Sequence, residues 1–230
     1  MINVNDVKVE AESLSRAAAE FYSSSDDFNS DSRRAESLLM DYYIQRSDGF
    51  LHPALSPFRL QFDATINANL FTLPSDCRFL ETVSAVKLTQ NPSTGAYSSD
   101  ETAAVFLPRP AVAASLGSSI RGGSARKNRY SYYLQGGNQY GFIPRGSVPL
   151  ARLRYVRYPV FAVWGATDDP TNQVQNYDPD ISTNYEWNES DRRNLVDILL
   201  YLRGLRCEQP ELGAWLANQS QAAPRPGSIS

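Results

Sequence analysis

Leu150-Ala151-Arg152-Leu153-Arg154-Tyr155-Val156 alternates cleanly, with Leu153 and Tyr155 on one face and Arg152 and Arg154 on the other. A period of two means a strand with one face buried and one face wet. Upstream, Arg129 to Gln135, the turn Gly136-Gly137-Asn138 and Gln139 to Ile143 read as a β-hairpin, because glycine and asparagine tolerate the positive φ of a tight turn. Leu70-Phe71-Thr72-Leu73-Pro74 reads as a strand ended by proline, and Phe79 to Leu88 as another. Asn91 to Asp100 is rich in turn formers and reads as a loop, while Pro108 and Pro110 close the short run Val105-Phe106-Leu107. Short strands at this spacing predict a small antiparallel sandwich or barrel over residues 51–166.

The flanks change period. Val7 to Tyr22, with Leu14, Ala17, Ala18 and Phe21 at three- and four-residue spacing, predicts a first helix that Ser23-Ser24-Ser25-Asp26-Asp27 breaks. A second helix, capped near Ser30 or Asp31 and stopped at Gly49, carries the stripe Ala35, Leu38, Leu39, Tyr42 and Tyr43. Thr167 to Trp187 is a long connection without periodicity, of the kind that contacts a partner. Asn188 then caps a helix with Glu189 and Asp191 in its first turn and Leu195, Val196, Leu199, Leu202 and Leu205 as its stripe. Pro210 opens a last helix bearing Leu212, Trp215 and Leu216.

The expected fold is therefore α+β. N- and C-terminal helices form a bundle around a central antiparallel β-sandwich or barrel-like insertion. Residues 1–50 are helical, 51–166 β-rich, and 167–220 return to one bundle with 1–50; 221–230 form a flexible tail. Leu38, Leu39, Leu195, Leu199, Leu202 and Trp215 are expected in its core.

Composition excludes several classes. The chain has 230 residues, 42% of them apolar, and a net charge of −3, so it can bury a core and is not globally a polyanion binder. The run Pro159 to Ala166 is too short to span a bilayer, and the first residues lack a basic start and an apolar signal core. Cys77 and Cys207 are expected to be buried free thiols.

Catalytic chemistry is hard to build from these residues. His52 is the sole histidine and sits between Leu51 and Pro53, so no His/Cys or His/Asp cluster offers a transition-metal site. The serine-rich stretches lack a Gly-x-Ser-x-Gly turn, and the pairs Gly122-Gly123 and Gly136-Gly137 stand in β context rather than opening a helix. The acidic run Asp168-Asp169 to Asp178 and Asp180 could hold a hard cation, but it matches no ligand spacing and reads better as turn formers and caps. No catalytic residue, metal or cofactor is expected.

The charge map is more informative. Between Thr102 and Thr167 there are nine basic residues and no acidic one, leaving 13 basic and 25 acidic residues elsewhere. This split reads as solvated strand and loop ends scattered by the fold, as opposite charges that meet between copies, or as a basic segment that meets phosphates. The candidate interface residues are Arg121, Arg126, Lys127 and Arg129 of the glycine-rich segment, Arg152, Arg154 and Arg157 of the alternating strand, and Tyr177 and Trp187 beyond it.

Three segments, in order, carry a resemblance. Ser25-Asp26-Asp27-Phe28-Asn29 and the helix Arg33 to Gln45 are similar to a Pro-Glu-Glu-Phe-Asn type motif and its following helix, with Ser24 where a proline is usual. Phe71-Thr72-Leu73-Pro74-Ser75-Asp76 resembles an apolar strand closed by Leu-Pro-x-Asp. Ala151-Arg152-Leu153-Arg154-Tyr155-Val156-Arg157-Tyr158-Pro159, then Tyr177-Asp178-Pro179, then Trp187-Asn188-Glu189-Ser190-Asp191, resemble a strand, loop and helix start in that order. Together they resemble the head-to-tail adaptor, or neck ring, proteins beside the portal of crAss-like and related short-tailed phages.

That resemblance implies a non-enzymatic virion protein made in the host cytoplasm and built into the neck or tail. It implies a homo-oligomeric ring, a dodecamer to match portal symmetry, that contacts the portal protein and adjacent neck or tail rings. DNA would pass through the lumen without sequence recognition, and no membrane is involved. The rival readings are a β-sandwich binding or decoration module contacting a glycan or capsid, and a hydrolase using the Asp168 to Asp180 loop.

Overall fold

The structure is a computed structural model, and it describes residues 1–15, 24–47, 50–90, 97–106, 130–143, 149–169, 174–205 and 210–222. The chain divides into two compact units: Met1–Pro57 with Pro159–Ser230, and Phe58–Tyr158.

The second unit is a nearly closed, barrel-like sheet. Its strands are β1 (Arg59–Thr65), β2 (Leu70–Thr72), β3 (Cys77–Gln90), β4 (Tyr97–Phe106), β5 (Tyr130–Gly136), β6 (Gln139–Ile143) and β7 (Leu150–Arg157). They lie in the order β1-β7-β3-β4-β5-β6-β2. All neighbours are antiparallel except β4 and β5, which run parallel from Ala104↔Tyr130 to Phe106↔Tyr132. The all-antiparallel expectation fails at this pair for a topological reason. β1 and β2 meet as an antiparallel hairpin through the bridge Asn67↔Leu70, and an odd ring of strands can close that way only with one parallel step.

Chain-local chemistry builds the turns. Ala68 and Asn69 take φ of 51° and 67°, the left-handed pair of a type I′ hairpin. Gly137, at φ 55°, serves the β5–β6 turn. Ala64, Phe71, Val83, Ala85, Tyr130, Tyr132, Ala151 and Leu153 form the barrel core. β7 alternates as its sequence predicts, Ala151, Leu153 and Tyr155 being buried and Arg152 and Arg154 half-buried on the outer face. β4 begins at Tyr97, so the expected loop Asn91 to Asp100 ends in strand.

The other unit holds α1 (Val4–Leu14), α2 (Ser25–Gln45), α3 (Arg192–Leu202), α4 (Pro210–Ala222) and the hairpin β8 (Ala166–Asp169) and β9 (Val174–Tyr177). The start of the chain joins its far end directly: Ile2 and Tyr185 exchange backbone hydrogen bonds of 3.2 and 3.0 Å. α3 contacts both α1 and α2, and Arg192 reaches Glu10 of α1 at 2.8 Å.

Further expectations, in the helical unit, do not hold, among them the Asn188 cap, whose side chain makes no capping hydrogen bond. α2 starts at Ser25 rather than after a cap near Ser30 or Asp31, because Ser24 Oγ accepts the Asp27 N–H at 3.2 Å and Asp26 and Asp27 sit favourably at the helix N-terminus. Thr167 to Trp187 is not structureless, since it contains most of the β8–β9 hairpin and a 3-10 turn at Pro179–Ile181. Leu38, Leu202 and Trp215 are half-buried rather than core, whereas Leu39, Leu195 and Leu199 are fully buried. The reason is that α3 has no single stripe: every residue from Leu195 to Leu200 is buried, and Leu212 and Leu216 hold the inner face of α4. Residues 16–22 of the expected first helix, Cys207 and residues 223–230 of the expected tail lie outside the described residues.

Candidate functional site

The titratable residues of the helical unit gather around irregular backbone. Residues 160–165 lie outside any named strand and make one isolated bridge, Val163 to Thr183, so most of their backbone groups need side-chain partners. Glu186 accepts the Val160 N–H at 2.8 Å and Glu36 accepts the Ala162 N–H at 2.8 Å. Asn29 takes both groups of Trp164, accepting its N–H at 2.7 Å and donating to its carbonyl at 3.2 Å. Ser182 Oγ accepts the Gly165 N–H at 2.9 Å. Glu36 is fully buried, and desolvation pushes its carboxyl up to about 7 despite the Ala162 bond and the Trp187 indole, which lower it; nearby Glu186 raises it further.

A second cluster lies at the α2–α3 contact. Tyr43 donates its phenol to Asp191 Oδ1 at 2.6 Å and accepts from Asn194 Nδ2 at 2.6 Å. His52 stacks on the Tyr43 ring with centroids 4.4 Å apart. Burial raises the Asp191 carboxyl, and the hydrogen bond from Tyr43 and the charge of His52 pull against it. The Tyr43 phenol is raised too, first by burial and then by Asp191. Tyr43 thus links the half-buried His52 to the buried Asp191 and ties α2 to the turn that opens α3.

On the barrel the arginines meet acids from neighbouring strands. Arg152 is bidentate to Asp63, with Nε–Oδ1 2.8 Å and Nη2–Oδ2 3.0 Å, and its Nη1 donates to Glu101 at 3.1 Å. Asp63 stands directly across from it in the β1–β7 register, and its carboxyl is held below the usual range by the hydrogen bonds from Arg152. Arg154 comes within 3.7 Å of Glu101. Arg59 is bidentate to Glu81 at 2.8 and 2.7 Å. Arg157 lies over the Phe58 ring and donates to the Tyr158 carbonyl. Arg152 and Arg154 of the acid-free stretch are thus met in space by acids from β1 and β4, strands that precede it in sequence or end within its first residues.

Of the other expected interface residues, Arg121, Arg126, Lys127 and Arg129 lie outside the described residues. Tyr177 is half-buried and stacks on Trp164 at 6.1 Å. Trp187 is not an interface residue of this unit: it is fully buried, with its ring 6.0 Å from Tyr43. Asp178 accepts the Asp180 N–H at 3.0 Å and caps the turn Pro179–Ile181. Among the described residues no three His, Cys, Asp or Glu side chains converge as a metal site, and no helix is long and apolar enough to cross a membrane. Cys77 is a free, half-buried thiol that burial, with Asp76 adding to it, pushes up to about 11.

Sequence reasoning missed β1. Every residue from Arg59 to Asp63 is exposed, so no in–out alternation marks the strand. Leu60 and Phe62 share the face of Ala64, yet they are 41% and 44% exposed, because β1 and β2 part beyond the Asn67–Leu70 rung. The notch between them is lined by Phe62, Thr65, Leu70, Phe71 and Thr72.

No protein-family model matches this chain, and no curated protein is significantly similar to it.

Proposed function

We propose that the chain is a structural, non-catalytic subunit of a phage neck or tail ring, stacked beside the portal and enclosing part of the DNA channel. The observation that supports this reading is where the motif residues go. Leu153 and Tyr155 fill the barrel from a central strand. Asp178 caps a turn, Trp187 is core, and Asp191 holds Tyr43. These residues of the resembling segments serve the scaffold, as a ring subunit requires. In this reading the helices from the two chain ends form the bundle through which subunits pack, and repeated shallow contacts close the ring.

The test is assembly. The purified chain, mixed with the portal protein of its own virus and viewed by negative stain, should give closed rings on the portal. A chain that stays dispersed beside intact portals would overturn the assignment.

A further inference from the structure

We propose that the outer edge of β1, which pairs with no strand among the described residues, pairs antiparallel with β1 of a second copy of this chain, across a two-fold axis at Gln61. The two edges of the barrel sheet differ. β2 is three residues long and Pro74 follows closely, which blunts it against strand addition. β1 is seven residues long, pairs with β7 without a bulge, and contains no proline, glycine or lysine. Its Leu60 and Phe62 continue the core-facing side of the sheet but remain exposed. Edges of this kind recruit another strand.

The backbone parity is defined. Ile66 donates to the Pro149 carbonyl at 3.0 Å, so residues 66 and 149 form a hydrogen-bonded pair of the antiparallel ladder. Counting back by twos, Phe62 and Leu60 also bond to β7, and Gln61, Arg59 and Asp63 turn their N–H and C=O groups outward. An added strand must therefore pair through the odd residues.

Self-pairing through odd residues allows the axis at any residue from Arg59 to Asp63, and charge favours one. Centred on Asp63 or on Arg59, the axis would set like charges directly opposite each other, which destabilises a pair, and centred on Leu60 or Phe62 it would leave Arg59 and Asp63 with no opposite charge across from them. Centred on Gln61, it sets Arg59 opposite the second copy's Asp63 on the outer face, and Leu60 opposite its Phe62 on the apolar face. Both charges already have partners, Glu81 and Arg152. The contact would link Glu81, Arg59, the other Asp63 and the other Arg152 into one row of alternating sign, formed twice. The short segment Arg59-Leu60-Gln61-Phe62-Asp63 is thus complementary to its own reverse.

This contact is two-fold, so it is separate from the head-to-tail contacts that close a ring. Native mass spectrometry of the full chain alone should show a dimer. Gln61→Lys and Gln61→Glu each place like charges on the axis and should each abolish it. Mixing the two variants should restore a mixed dimer, because Lys then faces Glu. In the wild type, hydrogen exchange at the Gln61 and Asp63 amides should slow as concentration rises, which tests the contact without any variant. A wild-type monomer with fast-exchanging amides, variants that dimerise like the wild type, or a mixture that stays monomeric would overturn the proposal. Rings on the portal without a free dimer would sink this proposal alone; a free dimer without rings would sink the ring reading alone.

Discussion

The helical unit buries charge and the barrel does not. Glu36, Asp191 and Asp197 are at most 4% exposed, and all three belong to the helical unit; among the described residues of the barrel no charged side chain is buried. The difference follows from backbone. A barrel wall satisfies its own N–H and C=O groups strand to strand, so inward side chains can be wholly apolar. The helical unit must also cover the irregular segment 160–165, whose Ala162, Trp164 and Gly165 are buried, and helices cannot lend it backbone partners. Side chains such as Glu36 and Asn29 do so instead, and a buried carboxylate is the consequence.

If that contrast is right, the largest single loss should come where the helical interior is apolar and tightly packed. Leu199 is fully buried there, between neighbours on α3 that are themselves buried. Leu199→Ala should cost roughly 2–5 kcal/mol, the range for a cavity left by a buried leucine. Urea unfolding measures it, and a loss below about 0.5 kcal/mol, the level of a surface site, would show that α3 is not the centre of this unit.

The next effect is one the barrel should lack. The Glu36 carboxyl titrates near 7 in the folded protein against an ordinary 4.5. The folded state therefore holds its proton more tightly than the unfolded state. The resulting stabilisation is fully present below pH 4.5, falls as pH rises, and is lost by about pH 7. The full swing is about 3 kcal/mol, since each tenfold gain in proton affinity is worth about 1.4 kcal/mol. Unfolding midpoints followed from pH 4.5 to 7.5 should fall in the wild type and fall much less in Glu36→Gln. An unchanged slope in that variant would place the titrating group elsewhere. Asp191, also raised, contributes in the same direction.

The same contrast explains what can be read from sequence. β7 and the β5–β6 hairpin are legible because a half-buried strand writes its burial as alternation, and because Gly136-Gly137-Asn138 matches the turn it makes. β1 is not, since an edge strand exposed on both faces has no alternation to write. α3 is legible as a helix, but periodicity narrows its core to a stripe; Ile198 and Leu200 escape because a helix buried all round has no polar face to contrast with. The contacts of Glu36 with Ala162 and of Tyr43 with Asp191 are out of reach, since their members lie far apart in the chain and meet only through packing. The arginine-rich stretch reads as unpaired along the chain, whereas Asp63 and Glu101 reach Arg152 across strands.

The smallest expected effect lies at that cross-strand pairing. Arg152 makes three charge-assisted hydrogen bonds to Asp63 and Glu101, which by their number alone would rank it among the strongest residues of the barrel. Yet its side chain is 22% exposed and its partners are more so, and water competes for each of these groups. Exposed pairs are worth about 0–1 kcal/mol, with bidentate geometry and a shared network favouring the upper end. A double-mutant cycle with Arg152→Ala and Asp63→Ala should give a coupling of about 0.5–1 kcal/mol, shrinking as salt is added. A coupling several times larger and insensitive to salt would mean that the outer face is shielded from water, and the barrel would then hold charge in a dry environment as the helical unit does.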